Sequence, residues 1–153
     1  LGLKAGHTSA IRRIEGGMLS YHADVDIHTN PFELGLDKLV NLEMTADFIG
    51  KEALRRIRDE GINRNLVGLR IDCSPLSAPN TRFWPVRKGG AVVGKVTSAI
   101  YSPRLKNNIA LAMVASEYSR NGTKLEVLLG SGPTPAEIVE KPFFDPRKSI
   151  ANV

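Results

Sequence analysis

From residue 65 to about residue 145 the chain is a succession of short apolar runs, each closed by turn residues. Runs this short cannot make long helices, and their spacing is that of a small antiparallel barrel or sandwich. The pattern predicts strands at about 65–72, 83–88, 91–99, 109–115, 124–129 and 136–141. Gly89-Gly90 is a tight hairpin signal and Asn121-Gly122 a second turn signal. Pro75, Pro79, Pro103 and Pro133 are placed between runs, where a missing N–H costs no ladder bond. The expected barrel core is Val67, Leu69, Val92, Val96, Ile109, Leu111, Leu125, Val127 and Ile138.

The first 64 residues mix periods. Thr8 is a candidate cap for a helix over Ser9 to Glu15, and Gly16-Gly17 would end it. Met18 to Ile27 alternates apolar and polar residues and predicts a strand, as does Leu36 to Met44. Between them, Asn30-Pro31-Phe32-Glu33 has the form of a capping box, with a helical turn expected to stop near Gly35. Lys51 to Glu60 predicts a helix with Ala53, Leu54 and Ile57 on one face and Gly61 at its end.

A chain of 153 residues is long enough to bury a core unaided. No apolar run approaches a membrane span. The single Cys73 rules out an intramolecular disulfide framework and fits a reducing compartment, so a cytoplasmic location is expected. Twenty-one Lys and Arg against 16 Asp and Glu give a net charge of +5, which suits an anionic partner. The chain opens Leu1-Gly2-Leu3-Lys4, without an initiator Met or a signal-peptide pattern, so the expectation is a portion of a longer protein.

Several constellations could carry chemistry. His22, Asp24, Asp26 and His28 alternate, so a strand would put all four on one face. Neighbours two apart would then be ~6.6–7 Å from each other, close enough for two or three to meet on a metal ion. The plainer reading is a solvated strand face. Cys73 could be a nucleophile with His7, His22 or His28 as base, but it has no local signature and fits a semi-buried structural thiol. Gly130-Ser131-Gly132-Pro133 lacks the Gly-Lys-Ser/Thr and helix start of a phosphate loop and is a turn. Asn121-Gly122-Thr123 fits a glycosylation acceptor as well as a hairpin, and the hairpin is preferred. Arg55, Arg56 and Arg58 stand beside Glu52, Asp59 and Glu60 without interleaved aromatics, which argues against a nucleic-acid stripe. Arg12-Arg13-Ile14-Glu15-Gly16-Gly17 joins an arginine fork to glycines that admit close approach. A surface Arg–Glu pair is its plainer reading.

Together, segments spread over nearly the whole chain resemble one family. They are Arg13-Ile14-Glu15-Gly16-Gly17, Leu19-Ser20-Tyr21, Asn30 to Leu36, Asp47 to Leu54, Leu66-Val67-Gly68-Leu69, Gly94-Lys95-Val96-Thr97-Ser98, Ser102 to Ala110 and Tyr118 to Thr123. In this order and spacing they resemble the tetrahydrofolate-dependent aminomethyltransferases, whose archetype is the glycine cleavage T-protein. Arg-Ile-Glu-Gly-Gly with Asn-Pro-Phe-Glu is also similar to the demethylase branch, which includes dimethylsulfoniopropionate demethylase and sarcosine- or dimethylglycine-related proteins.

The resemblance implies an α+β fold. Residues 1–64 would form the end of a folate-binding α/β region, and residues 65–153 a six-stranded antiparallel β-barrel. It implies a C-terminal portion of an enzyme that moves a one-carbon unit from an amine or sulfonium donor to tetrahydrofolate. Arg13 matches the family's ligand-site arginine and is the folate- or substrate-binding residue so implied. Glu15 would hold the helix end or orient Arg13. The family's catalytic Asp has no counterpart here, so no catalytic residue and no metal ligand is assigned, and the isolated chain is expected to be inactive. Implied partners are folate, a small donor and a lipoyl carrier protein, with no nucleic acid and no membrane. A non-catalytic barrel that docks a protein, and a metal-binding protein built on His22 to His28, are the readings from other classes.

Overall fold

The computed structural model describes residues 9–147 and residue 149. His7 and Thr8, considered above as a general base and a helix cap, lie outside the described residues. The first helix, α1 (Ala10–Glu15), is capped by Ser9, whose Oγ accepts from the Arg12 N–H at 3.4 Å. Gly17, at φ 65°, turns the chain out of it, and the Met18 N–H closes the end on the Arg13 carbonyl at 2.9 Å.

Both strands expected in the first 64 residues are absent. Residues 18–27 reverse direction instead: the Asp24 N–H donates to the Ser20 carbonyl at 2.8 Å, the His22 N–H to the Val25 carbonyl at 2.7 Å, and His22 takes φ 70°. Residues 36–44 form a 3₁₀ turn (Asp37–Leu39) and bends. A strand needs a partner edge, and the barrel that follows is closed, so it offers none. The Asn30 box does form. Asn30 Oδ1 accepts from the N–H groups of Phe32 and Glu33, each at 3.1 Å, and the Asn30 N–H returns to Glu33 Oε2 at 3.1 Å. It closes one turn, which Gly35 ends at φ 73°. The second helix, α2 (Lys51–Glu60), stops at Gly61 as expected, at φ 83°. Its apolar face is narrower than expected, since Leu54 and Ile57 are half-buried and Ala53 is exposed.

Among the described residues six strands follow: β1 (Arg64–Ile71), β2 (Trp84–Lys88), β3 (Ala91–Ser102), β4 (Asn107–Ala115), β5 (Lys124–Leu129) and β6 (Gly132–Val139). All pairs are antiparallel, and the order β1-β4-β3-β2-β5-β6 closes on itself. Gly89 and Gly90, at φ 57° and 86°, make the β2–β3 hairpin in the twist sense antiparallel strands favour. Strand β6 begins four residues earlier than the sequence predicts, so Pro133 lies within it. Pro133 and Pro135 precede Ala136, where pairing of β6 with β1 begins, and the Pro135 carbonyl accepts from the N–H of Asp72, just past β1, at 2.9 Å.

The core has two layers. Val67, Leu69, Val96, Leu125, Val127 and Ile138 fill the barrel. Ile109 and Leu111 are buried on its outer face, under Ile14 and Leu34 of the first segment, with Leu66, Ile100 and Met113. Strand β4 is consequently buried without a break from Asn108 to Val114, the pattern of a strand covered on both faces. Burial of a residue such as Ile14, at 1% exposure, contributes about 1.5–3 kcal/mol to holding α1 on the barrel. Val92 departs from the expected core, at 68% exposure. A register shift between Val86 and Arg87 moves it to the hairpin end, beyond the barrel interior.

Lys141 sits below β6 with one long bond, from Nζ to the Leu34 carbonyl at 3.4 Å, and burial pushes its ammonium below the ordinary 10.5. The unfolded chain binds this proton more tightly than the folded one, so the charge costs stability below the folded value, and the cost disappears above about 10.5. Lys141→Met is expected to raise stability at pH 7 by a few tenths to about 1 kcal/mol, a range that allows for partial solvent screening. The gain should fade as pH rises towards the ordinary lysine value. Urea titrations at both pH extremes read this directly, and a gain that grows with pH contradicts it. No helix among the described residues is long and apolar enough to cross a membrane.

Candidate functional site

The Gly16-Gly17 turn brings the chain back beneath α1, so that Asp24 meets Arg13. Arg13 Nη1 donates to Asp24 Oδ2 at 2.7 Å and to the Met18 carbonyl at 2.9 Å, and Nη2 donates to Ser98 Oγ at 2.8 Å. Asp24 is fully buried as a side chain and Arg13 is 18% exposed. Asp24 Oδ2 also takes the Ser20 N–H at 3.0 Å, while Oδ1 takes the hydroxyls of Thr97 at 2.6 Å and Ser98 at 2.7 Å. These donors leave neither oxygen of the buried carboxylate unpaired, which offsets the cost of taking it out of water.

Two consecutive residues of a regular strand point to opposite faces. Thr97 and Ser98 both reach Asp24 because β3 carries a bulge: Val96 pairs with Ala112 and Ser98 with Leu111, leaving Thr97 as the extra residue. The bulge re-aims one hydroxyl towards the carboxylate. Neither residue stands out as a site in the sequence, where both belong to the family-like Gly94–Ser98 segment and form only a polar pair at its end.

A guanidinium has five N–H groups. Arg13 uses both hydrogens of Nη1 and one of Nη2; Nε and the other Nη2 hydrogen have no partner among the described residues. Arg13 is therefore held rigidly by one side and keeps donors for an anionic or carbonyl group. Arg12 is exposed and takes no part. Glu15 does not orient Arg13. Its carboxylate accepts from the buried Ser102 hydroxyl, and its carbonyl takes the Phe144 N–H at 3.0 Å, so it fastens the helix end to β3 and to the C-terminal segment.

On the other side of Thr97 lies a groove of about 530 Å³, walled by Tyr21, His22, Arg82 and Phe83. The Tyr21 and His22 rings meet edge to face, 4.5 Å apart, and Lys95 Nζ stands 4.3 Å above the Phe83 ring. Asn80 locks the opposite wall: its Oδ1 accepts from the Ala99 N–H at 2.6 Å, and its Nδ2 donates to the carbonyls of Arg82 and Thr97. The groove is lined by the Tyr21, His22 and Phe83 rings with Arg82 as its cation.

The remaining candidates separate. His22, Asp24, Asp26 and His28 share no face, since Asp24 turns inward while the other three are exposed. Asp26 serves its own turn, accepting from the His28 N–H at 2.8 Å. Among the described residues no three His, Cys, Asp or Glu side chains gather for a metal ion. Burial, and secondarily Asp72, pushes the Cys73 thiol up, which is opposite to the activation a nucleophile needs. Arg55 pairs with Glu52 at 2.6 Å and Arg58 with Glu43 at 2.8 Å, and Arg58 holds the Glu43 carboxyl below its usual range. Gly130 to Pro133 is the β5–β6 hairpin.

Comparison with known proteins agrees with this architecture. The family described as glycine cleavage T-protein C-terminal barrel domain matches residues 64–145. An aminomethyltransferase of Synechococcus sp. (strain CC9902) is 42% identical over 132 residues, covering 86% of this chain and 35% of that protein. One from Symbiobacterium thermophilum is 40% identical, covering 86% and 34%. The chain thus spans about a third of the length of the curated relatives it matches. In fold it is similar to the glycine cleavage system aminomethyltransferase T of Bartonella henselae, with a TM-score of 0.79 at 23% identity over 87% of this chain and 37% of that one. A barrel of this topology with the matched segments in order places the chain in the glycine cleavage T-protein family, as a C-terminal barrel portion.

Proposed function

We propose that this chain is the C-terminal part of a cytoplasmic aminomethyltransferase that passes a one-carbon unit from an amine donor to tetrahydrofolate. In this reading residues 1–64 complete the folate-binding region and residues 65–153 form the barrel behind it, with a lipoyl carrier as the protein partner. Folate supplies the accepting nitrogen, so the task left to the protein is positioning and electrostatics. Arg13 offers its two spare N–H donors to the ligand, and Asp24 with the Thr97–Ser98 bulge keeps that fork from turning away. The net charge of +5 attracts an anionic folate.

The observation that carries this reading is the half-used guanidinium, anchored from beneath by a buried carboxylate. It is tested in the full-length protein by tetrahydrofolate titration. Arg13→Ala is expected to weaken binding about ten- to a hundredfold, the worth of a charge-assisted hydrogen bond of ~1.5–3 kcal/mol. Arg12→Ala should change it less than about threefold, since successive helix residues point ~100° apart. Arg13→Lys should recover only part, because an ammonium lacks the planar fork. Because Arg13 also supports Asp24, affinity is measured on the folded fraction. Unchanged affinity there makes Arg13 a structural partner of Asp24 and removes the reading.

A further inference from the structure

A second cleft, of about 440 Å³, lies at the mouth of the barrel and shares no lining residue with the groove beside Thr97. Barrel mouths are favoured places for small-molecule sites. Its floor is Ile71, Asn108 and Ala136. Asn108 is buried and makes the wall rigid: Oδ1 accepts from the Leu76 N–H at 2.9 Å, and Nδ2 donates to the carbonyls of Cys73 at 2.8 Å and Ser74 at 3.2 Å. These bonds hold the loop after β1 at a fixed distance from β4.

The rim carries three cations on three separate elements: Arg70 on β1, Lys106 in the β3–β4 turn and Lys124 on β5. Two carboxylates, Asp72 and Glu137, face them. Glu137 Oε2 is shared by Arg70 Nη2 and Lys124 Nζ, the latter at 2.8 Å. One carboxylate oxygen therefore serves two cations. The Lys124 hydrogen bond is the main cause holding the Glu137 carboxyl below its usual range, so it stays ionised. Lys106 has no hydrogen bond or ion pair among the described residues. It also sits at φ 54°, a conformation glycine or asparagine adopts more easily. A long cationic side chain thus occupies a position where the backbone favours a small residue, and it lines the cleft.

We infer that the barrel mouth binds a small molecule bearing two or more anionic groups, carboxylates or phosphates, with Lys106 as the free cation that engages it and the Arg70–Glu137–Lys124 group as the opposite wall. The site is independent of the folate reading, since it uses none of the residues that support Arg13.

The test is calorimetric titration at low ionic strength, where surface electrostatics are least screened, with citrate, pyrophosphate and acetate as probes. Citrate or pyrophosphate is expected to bind with a Kd below about 1 mM, and whichever is tighter identifies carboxylate or phosphate as the natural group. Acetate should bind at least about tenfold more weakly, because one charge cannot span the rim. Lys106→Gly relieves the backbone and should leave the protein folded and at least as stable. It is expected to weaken the tighter probe about fivefold or more, the share of a partly exposed charged contact. Lys38→Gln removes the same charge from the exposed 3₁₀ turn, which is not part of the cleft, and should change nothing. Equal weakening by Lys38→Gln, unchanged binding in Lys106→Gly, or no binding of either polyanion overturns the inference.

Discussion

Asp24→Ala is expected to destabilise the protein by about 3 kcal/mol, the lower end of the cost of breaking a buried ion pair by removing one partner. The lower end applies because Arg13 keeps 18% exposure and can recover some water. Besides Arg13, the substitution strands the Ser20 N–H and the Ser98 hydroxyl, while the Thr97 hydroxyl keeps the Leu111 carbonyl as an acceptor at 3.1 Å. For a chain of this length the loss corresponds to a fall in Tm of about 6–12 °C. Asp24→Asn keeps an acceptor on one side and should cost about half as much. A double-mutant cycle with Arg13→Ala should give a coupling of at least about 1.5 kcal/mol. Calorimetry on the four proteins measures both quantities. A cost for Asp24→Ala below about 1 kcal/mol means that the network does not hold the 18–27 turn.

Gly94→Ala is the more damaging change. A Cβ on Gly94 would lie 2.2 Å from the Met113 carbonyl oxygen and 2.8 Å from Val114 Cα. Both are backbone atoms of the neighbouring strand, so no rotamer relieves the clash, and β3 and β4 must separate where Gly94 pairs with Val114. The expected cost is above about 4 kcal/mol, beyond what ordinary substitutions reach and a large share of the 5–15 kcal/mol typical of a whole domain. Gly130→Ala is the control. Its nearest neighbour is the end of the Arg82 side chain at 4.0 Å, and the change should stay within about 0.5 kcal/mol. Urea unfolding together with hydrogen exchange on the β3 and β4 amides separates the outcomes. A folded Gly94→Ala protein with wild-type protection in β4 contradicts the expectation.

Gly94 shows how resemblance and structure divide the work. Gly94 to Ser98 was one of the segments that carried the family likeness, yet nothing in the letters gave the reason for the glycine. The reason is the close approach of β4. The same segment holds Thr97 and Ser98, which the sequence offers only as two polar residues in a strand. Their joint orientation depends on a one-residue bulge set by pairing with β4.

Local patterns were sufficient for most of the barrel. Alternation and Gly89-Gly90 located the strands to within a few residues, because a hairpin is specified by its own turn and the residues flanking it. The Asn30–Glu33 box and α2 were legible for the same reason: their donors and acceptors are three or four residues apart. Asn121-Gly122 marks a turn before β5 but not the expected hairpin, since β4 and β5 lie apart in the barrel order. The same alternation misled at 18–27 and 36–44, where the test of a strand is a free sheet edge, and closure of the barrel had removed every edge.

What sequence alone determined, then, were the Gly89-Gly90 hairpin, the Asn30 box, the end of α2, the family and the candidacy of Arg13; the first helix is capped by Ser9, one residue past the expected Thr8. Tertiary structure decided which side of the fold each charge serves. Asp24 alternates like its exposed neighbours but is buried, because its hydroxyl donors lie 73 and 74 residues away. Arg13 finds Ser98 across 85 residues. Glu15, two residues from Arg13, is drawn instead to Ser102, 87 residues on. Partners at such separations are chosen by strand register and by a bulge within it, and a shift of one residue would turn those side chains to the opposite face.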